Sequence, residues 1–272
     1  GEGGRGHRLR RKTGRTGCAP TGKEVMARAA EQRKKITLEL GGSDPCIVLA
    51  DADRDAAAAA VRVGRFFNCG QACLATKRIF VEESVFDAFL EKISAQTAKM
   101  KPGNGMDPAS RMGPMHTSTQ RDEVEAQVKD ALERGARIVH GGGRPQGEDF
   151  AGGNFLNPVV LADVPAGSRM LTEEVFGPAL PVVMVKDLDE AIRLANDSPY
   201  GLGSSIWTGS MASAFRAINE IEAGYTWVNS VQIAYDELPF GGTKMSGFGK
   251  EHGVEAYHEY TEMKSVVIGG LG

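Results

Sequence analysis

What limits this chain most is the exchange of two hydrophobic periods that begins at Lys35. Ile36 to Leu40 and Cys46 to Ala50 are short runs rich in apolar residues, separated by Gly41-Gly42 and the turn pair Asp44-Pro45, and read as strands. Asp51 or Asp53 can cap the alanine-rich helix that follows, in which Ala56, Ala60, Val63 and Phe67 share one face. Lys77 to Val81 reads as a strand, Val85 to Met100 as an amphipathic helix, and Thr119 to Arg134 as a charged helix with Val124, Val128 and Leu132 at helical spacing. Further strands follow over Arg137 to His140, Phe155 to Leu161, Pro181 to Val185, Gly203 to Trp207 and Tyr225 to Val228, with helices over Leu188 to Asn196 and Met211 to Ile221. Such alternation predicts an α/β fold, a parallel sheet flanked by helices on both faces. Ser265 to Ile268 reads as one more strand, whose edge needs covering.

Bulk properties remove several function classes. A formal net charge of -3 gives no reason to expect nucleic acid or an anionic membrane as partner. No apolar run approaches the roughly 20 residues that span a bilayer, and no apolar segment of a secretory signal is present, which points to the cytoplasm. Four cysteines, Cys18, Cys46, Cys69 and Cys73, fit a reduced compartment. Cys69 and Cys73 have no second Cys or His pair at ligand spacing, so no metal site is expected.

Two nucleotide-binding patterns near the start fail on context. Gly1, Gly3 and Gly6 match the dinucleotide fingerprint, but no strand precedes them, and the Gly/Arg-rich residues 1–15 are expected to be disordered. GCAPTGKE, Gly17 to Glu24, has the phosphate-loop spacing but ends on Glu24 where a hydroxyl for magnesium is required, so a nucleotide hydrolase ranks last. The plain reading is a turn opening a short helix near Lys23.

Chemistry concentrates in FNCGQAC, Phe67 to Cys73. Asn68 and Gly70 are natural helix-end residues, and the small neighbours of Cys73 suit close approach of another molecule to the backbone. A thiol acts as thiolate, and Lys77 or Arg78 can supply the cation that lowers its pKa. Cys69 reads as a small packed hydrophobe. Glu39 alternates with Leu38 and Leu40; alone it reads as solvated, yet at the carboxyl end of a strand in an open α/β sheet it faces the ligand crevice.

Taken together, LELGG (38–42) followed by N-x-G-Q-x-C (68–73), TEEVFGP (Thr172 to Pro178), GYTWVN (Gly224 to Asn229) and PFGGTKMSGFGKEHG (Pro239 to Gly253) resemble the ordered motifs of the NAD(P)-dependent aldehyde dehydrogenase superfamily. The resemblance runs from about Thr16 to Ile268 and implies roles. Cys73 is the nucleophile that forms a thiohemiacetal and then a thioester, its own backbone N–H helping to hold the oxyanion. Glu39 is the general base for hydrolysis, Glu174 holds the nicotinamide ribose, and Phe176 packs near the nicotinamide ring. Gly17, Cys18 and Gly22 fall in the phosphate-contacting turn, with Cys18 in place of a serine, and Asn229 and Lys244 are structural supports. The partners implied are NAD or NADP, a small aldehyde and further copies of the chain.

Family members are nearly twice as long, and the segment without a counterpart here carries most of their cofactor domain. The organisation expected is a disordered, non-family 1–15, a cofactor-domain remnant over 16–40, a catalytic domain over 41–253 and an oligomerisation strand and tail over 254–272. On that basis the chain is expected to be a truncated oxidoreductase with impaired turnover. The alternatives are a non-catalytic subunit retained for assembly and a thiol esterase that needs no dinucleotide. Asp236 and Glu237, in the stretch Ser230 to Leu238, weigh against anionic aldehydes.

Overall fold

The computed structural model describes residues 11–231 and 233–270. The pattern at Gly1, Gly3 and Gly6, and residues 1–10 of the segment expected to be disordered, lie outside them. Strand β1 (Lys12–Thr16) leads through helix α1 (Ala19–Ala30) to a parallel neighbour, β2 (Lys35–Glu39), with Thr16 opposite Glu39. This corrects the expectation of disorder through Arg15. Ladder bonds come from the backbone, so a strand with largely exposed side chains can be basic and still pair. Helix α1 starts earlier than Lys23 because Pro20 is suited to a first turn.

After Gly41-Gly42 come β3 (Asp44–Val48), α2 (Arg54–Phe66), β4 (Thr76–Glu82) and α3 (Phe86–Thr97). They are followed by α4 (Ser118–Glu133), β5 (Arg137–Gly141), β6 (Val159–Ala162), the short α5 (Arg169–Thr172), β7 (Ala179–Val185) and α6 (Leu188–Asn196). The last elements are β8 (Tyr200–Gly201), β9 (Gly203–Trp207), α7 (Met211–Glu220), β10 (Tyr225–Val228), β11 (Thr243–Lys244), β12 (Gly247–Phe248) and α8 (Gly253–Tyr260).

Seven strands form the main sheet in the order β10-β9-β3-β4-β7-β6-β5, all parallel except the β5 pairing. Helices cover both faces, as the alternating pattern predicts. Successive strand residues point to opposite faces. Cys46 and Val48 therefore join the core with Val61, Phe86 and Phe89, while Ile47 and Leu49 join the core with Ile192 and Ala217. Each fully buried large apolar side chain contributes about 1.5–3 kcal/mol. Strand β12 pairs antiparallel with β2 and sets Gly247 opposite Glu39. Gly247 has φ +123°, and a Cβ there would lie 1.8 Å from the Leu38 carbonyl oxygen, so only glycine lets these strands meet.

Three expectations change. The buried face of α2 is Ala57, Ala58, Val61, Gly64, Arg65 and Phe66, whereas Val63 and Phe67 are exposed by 50% and 64%. An alanine-rich helix carries a weak apolar stripe, and here buried Phe66, the residue before Phe67, and buried Arg65 close the packed face at its C-terminal end. Strand β6 starts at Val159 rather than Phe155, after Pro158, whose carbonyl accepts a bond from Gly142 N–H. Residues 261–270 form no strand, and Val266, Val267 and Ile268 are exposed, because a β-prone run becomes a strand only where a ladder partner is present. Of the two candidate caps of α2, Asp53 accepts from the N–H groups of Asp55 and Ala56, and Asp51 accepts from the Thr208 hydroxyl. Among the described residues no helix is long and apolar enough to cross a membrane.

Candidate active site

Helix α2 ends in three consecutive left-handed residues, Asn68 (φ 48°), Cys69 (φ 58°) and Gly70 (φ 74°), which turn the chain towards Cys73. Two side chains hold this turn: Asn68 Nδ2 donates to the Gln71 carbonyl at 3.0 Å and Gln71 Nε2 returns a bond to the Asn68 carbonyl at 3.1 Å. Cys69 is buried, with Sγ 3.7 Å from Met115 Sδ, and burial pushes its thiol up to about 12. Cys73 is partly exposed. Burial raises its pKa, the ammonium of Lys77 opposes that rise, and the carboxylates of Asp44 and Glu174 add to it.

Lys77 faces the turn and Arg78 does not. Lys77 Nζ donates to the carbonyls of Ala72 (3.0 Å) and Cys73 (2.6 Å) and to Glu174 Oε1 (2.9 Å). Arg78, the next residue on β4, points through the other face of the sheet and donates to the carbonyls of Ser43, Leu194 and Ala195.

Glu174 and Phe176 lie beyond α5 and face Cys73 across a cavity of about 830 Å³, whose wall also includes Gly17, Cys18, Leu40 and Gly41. Cys18 stands at the N-cap of α1, where the Thr21 hydroxyl 3.3 Å away and nearby backbone bonds lower its pKa. Glu174 Oε1 also accepts from Gly42 N–H at 3.1 Å. A Cβ at Gly41 would sit 2.0 Å from Glu174 Oε2. Gly41→Ala is therefore expected to expel this carboxylate and lower stability by about 1–3 kcal/mol, measured as a drop in denaturant midpoint; an unchanged midpoint would contradict the packing described.

Two residues that the sequence assigned to the site stand apart from this wall. Gly22 is on the packed side of α1, where a Cβ would lie 2.7 Å from Leu40 Cδ1, so its smallness serves helix–strand packing. Glu39 is 4% exposed, and neither carboxylate oxygen accepts a hydrogen bond among the described residues. Burial, with the Glu251 carboxylate adding and Lys250 opposing, pushes its pKa up to about 8. Gly241 leaves it room, since a Cβ there would come within 2.7 Å of Glu39 Oε1.

Several supporting groups were not legible as such. Ser246 Oγ donates to the Gly41 carbonyl at 2.7 Å and accepts from Gly201 N–H, locking the strand end after Glu39. Fully buried Arg65 donates to the carbonyls of Val175 (2.9 Å) and Gly177, tying α2 to the Glu174–Phe176 segment, and burial lowers its pKa to about 9. Ser246 sits in a motif the sequence displays; nothing marks Arg65, because an arginine on a helix reads as solvated. Asn229 exchanges two bonds with the Thr208 backbone, and Lys244 Nζ donates to the Asn196 and Ser198 carbonyls, so both act between loops. Among the described residues no group of three or more His, Cys, Asp or Glu side chains could hold a metal.

The sequence profile of the aldehyde dehydrogenase family matches residues 6–266. The chain belongs to the aldehyde dehydrogenase family. The match extends upstream of Thr16, so part of the segment expected to lie outside the family falls inside it, in keeping with β1. Betaine aldehyde dehydrogenase of Brucella melitensis is 39% identical over 262 residues, which are 96% of this chain and 54% of that protein. Betaine aldehyde dehydrogenase of Staphylococcus aureus, solved with NAD+, superposes with a TM-score of 0.90 at 37% identity over 94% of this chain and 51% of the other. An NADP-dependent enzyme of Escherichia coli gives a TM-score of 0.92 at 36% identity, covering 96% and 53%. This family member thus spans about half the length of the curated relatives it matches.

Proposed function

We propose that the chain carries the covalent chemistry of an NAD(P)-dependent aldehyde dehydrogenase, oxidising a small aldehyde to the carboxylic acid through Cys73. The observation that carries this reading is the shared cavity: a partly exposed thiol, a carboxylate at Glu174, the ring of Phe176 and the N-terminus of α1 all face one space. That space suits a dinucleotide. The first-turn N–H groups of α1 favour phosphate, Cys18 makes no side-chain cap to them, and Phe176 offers a flat apolar surface. A nicotinamide dinucleotide bound there supplies the hydride acceptor.

The residues of the chain do the rest. The Cys73 thiolate adds to the aldehyde carbon, and its backbone N–H stabilises the oxygen as it becomes anionic. Loss of hydride from that carbon leaves a thioester on Cys73. Glu39, rotated from its place beside Gly241 towards the cavity, takes a proton from water, which attacks the thioester and releases the acid and the thiolate. A base with a pKa near 8 is well matched to this step at neutral to mildly alkaline pH.

The test is to incubate the chain with a small aldehyde and NAD or NADP, follow reduced dinucleotide by absorbance, and trap the acyl adduct for mass spectrometry. The expected result is aldehyde-dependent reduction together with an acyl mass on the peptide containing Cys73. Reduction with the acyl group on another residue, or no adduct and no reduction, would overturn the reading.

A further inference from the structure

We propose that Lys77 is a positioning residue that couples the Cys73 thiol to the Glu174 carboxylate, so that thiol reactivity depends on how Glu174 is held. The proposal rests on the reading of Cys73 as the reactive thiol and adds a residue that the reaction itself does not require. Lys77 is fully buried on β4, and an ammonium has three donor hydrogens. Its three acceptors are the Ala72 carbonyl, the Cys73 carbonyl and Glu174 Oε1. Among the described residues Glu174 is its ion-pair partner, and an ammonium this deep is costly without one.

The geometry makes one nitrogen the hinge between two loops. Two successive carbonyls of the thiol turn converge on Lys77 Nζ, which fixes the peptide planes on either side of Cys73. The third bond fixes Glu174, whose Oε1 is shared with Gly42 N–H and whose Oε2 lies against Gly41. Phe176, two residues on, has its ring centroid 5.8 Å from the same nitrogen. A change at Glu174 therefore reaches Cys73 through a single cation.

Electrostatics point the same way. The groups facing the thiol are Lys77, which favours the thiolate, Asp44 and Glu174, which oppose it, and the Leu74 N–H, which favours it, all against the cost of burial. While Glu174 neutralises Lys77, the cation stabilises the thiolate less. With Glu174 uncharged or drawn away, the field of Lys77 falls on Cys73 with less compensation.

The experiment follows alkylation of Cys73 by iodoacetamide, read by mass on its own peptide, from about pH 6 to about pH 10. It uses the folded chain without aldehyde or dinucleotide, so its failure is distinct from failure of the dehydrogenase reading. Lys77→Met is expected to move the midpoint up by about one pH unit, making alkylation about tenfold slower below it. Lys77→Arg retains the charge and is expected to restore most of the rate, and Glu174→Gln to move the midpoint down. A purely structural Lys77 would lower the melting temperature of both lysine variants and leave the profile unmoved. A folded Lys77→Met chain with the original profile overturns the proposal. If Lys77→Met does not fold, an original profile in Glu174→Gln overturns it instead.

Discussion

Replacing Cys73 with alanine is expected to abolish aldehyde-dependent reduction of the dinucleotide, a loss on the order of 10⁵-fold, since the nucleophile of a covalent mechanism has no partial substitute. The other thiols cannot stand in. Cys46 and Cys69 are buried and held near 12, where almost no thiolate forms at neutral pH. Cys18 is exposed at the N-cap of α1, in the part of the cavity assigned to phosphate. Hydrolysis of an activated aryl ester, which needs the thiol but no dinucleotide, should fall in parallel. Cys69→Ala provides the contrast: it removes a packed sulfur, costs about 1 kcal/mol of stability and leaves turnover near that of the original chain. Residual ester hydrolysis in Cys73→Ala, or comparable losses in both variants, would remove Cys73 from the role proposed for it.

Glu39→Gln is expected to separate the two halves of the reaction. Acylation of Cys73 should survive as a burst, while steady-state turnover falls about 10²–10⁴-fold, the range for losing a general base. In the original chain turnover should climb with pH through about 8, as Glu39 loses its proton, and this dependence should be absent in the variant. Stability carries an independent signature with a definite sign. The folded-state pKa is raised above the ordinary carboxyl value of 4.5, so between 4.5 and about 8 the native state keeps a proton that the unfolded state has released. The associated stability is fully present below 4.5 and is lost as pH rises towards 8. Glutamine has no proton to lose, so Glu39→Gln should be more stable than the original chain at pH 8 by on the order of 2–4 kcal/mol, with the gap closing as pH falls. Chemical denaturation at several pH values measures it; a gap that widens towards acid pH would contradict the burial of this carboxylate.

Much of the fold was legible because its causes are local. The strands over Gly203–Trp207 and Tyr225–Val228 and the helix over Leu188–Asn196 follow their hydrophobic periods residue for residue. Asn68 and Gly70 announced the turn after α2, and the left-handed φ values there are what those residue types tolerate. Strand β1 escaped notice because its stability lies in ladder bonds to β2 and in contacts from the far end of the chain, where Lys12 Nζ lies 2.5 Å from Glu259 and 4.5 Å over the ring of Tyr260. None of this is visible within the stretch KTGRT.

The sequence alone determined most of the strands and helices of the main sheet, the loop that presents a thiol, and the motifs that place the chain in its family. These are set by period and by residue type at short range. Only the tertiary structure decided that Lys77, and not Arg78, reaches Cys73, because alternation puts adjacent strand residues on opposite faces without saying which face borders the site. It likewise decided that α2 buries Arg65 and exposes Phe67, and that Gly22 packs against Leu40 rather than lining the cavity. Glu39 shows the reason most directly. Its position in LELGG identifies it, but its pKa is raised by burial and by the Glu251 carboxylate against the opposing Lys250, and Gly241 leaves its oxygens room, all some two hundred residues away. Local pattern fixes where a side chain begins; long-range packing fixes what surrounds it, and the surroundings set its chemistry.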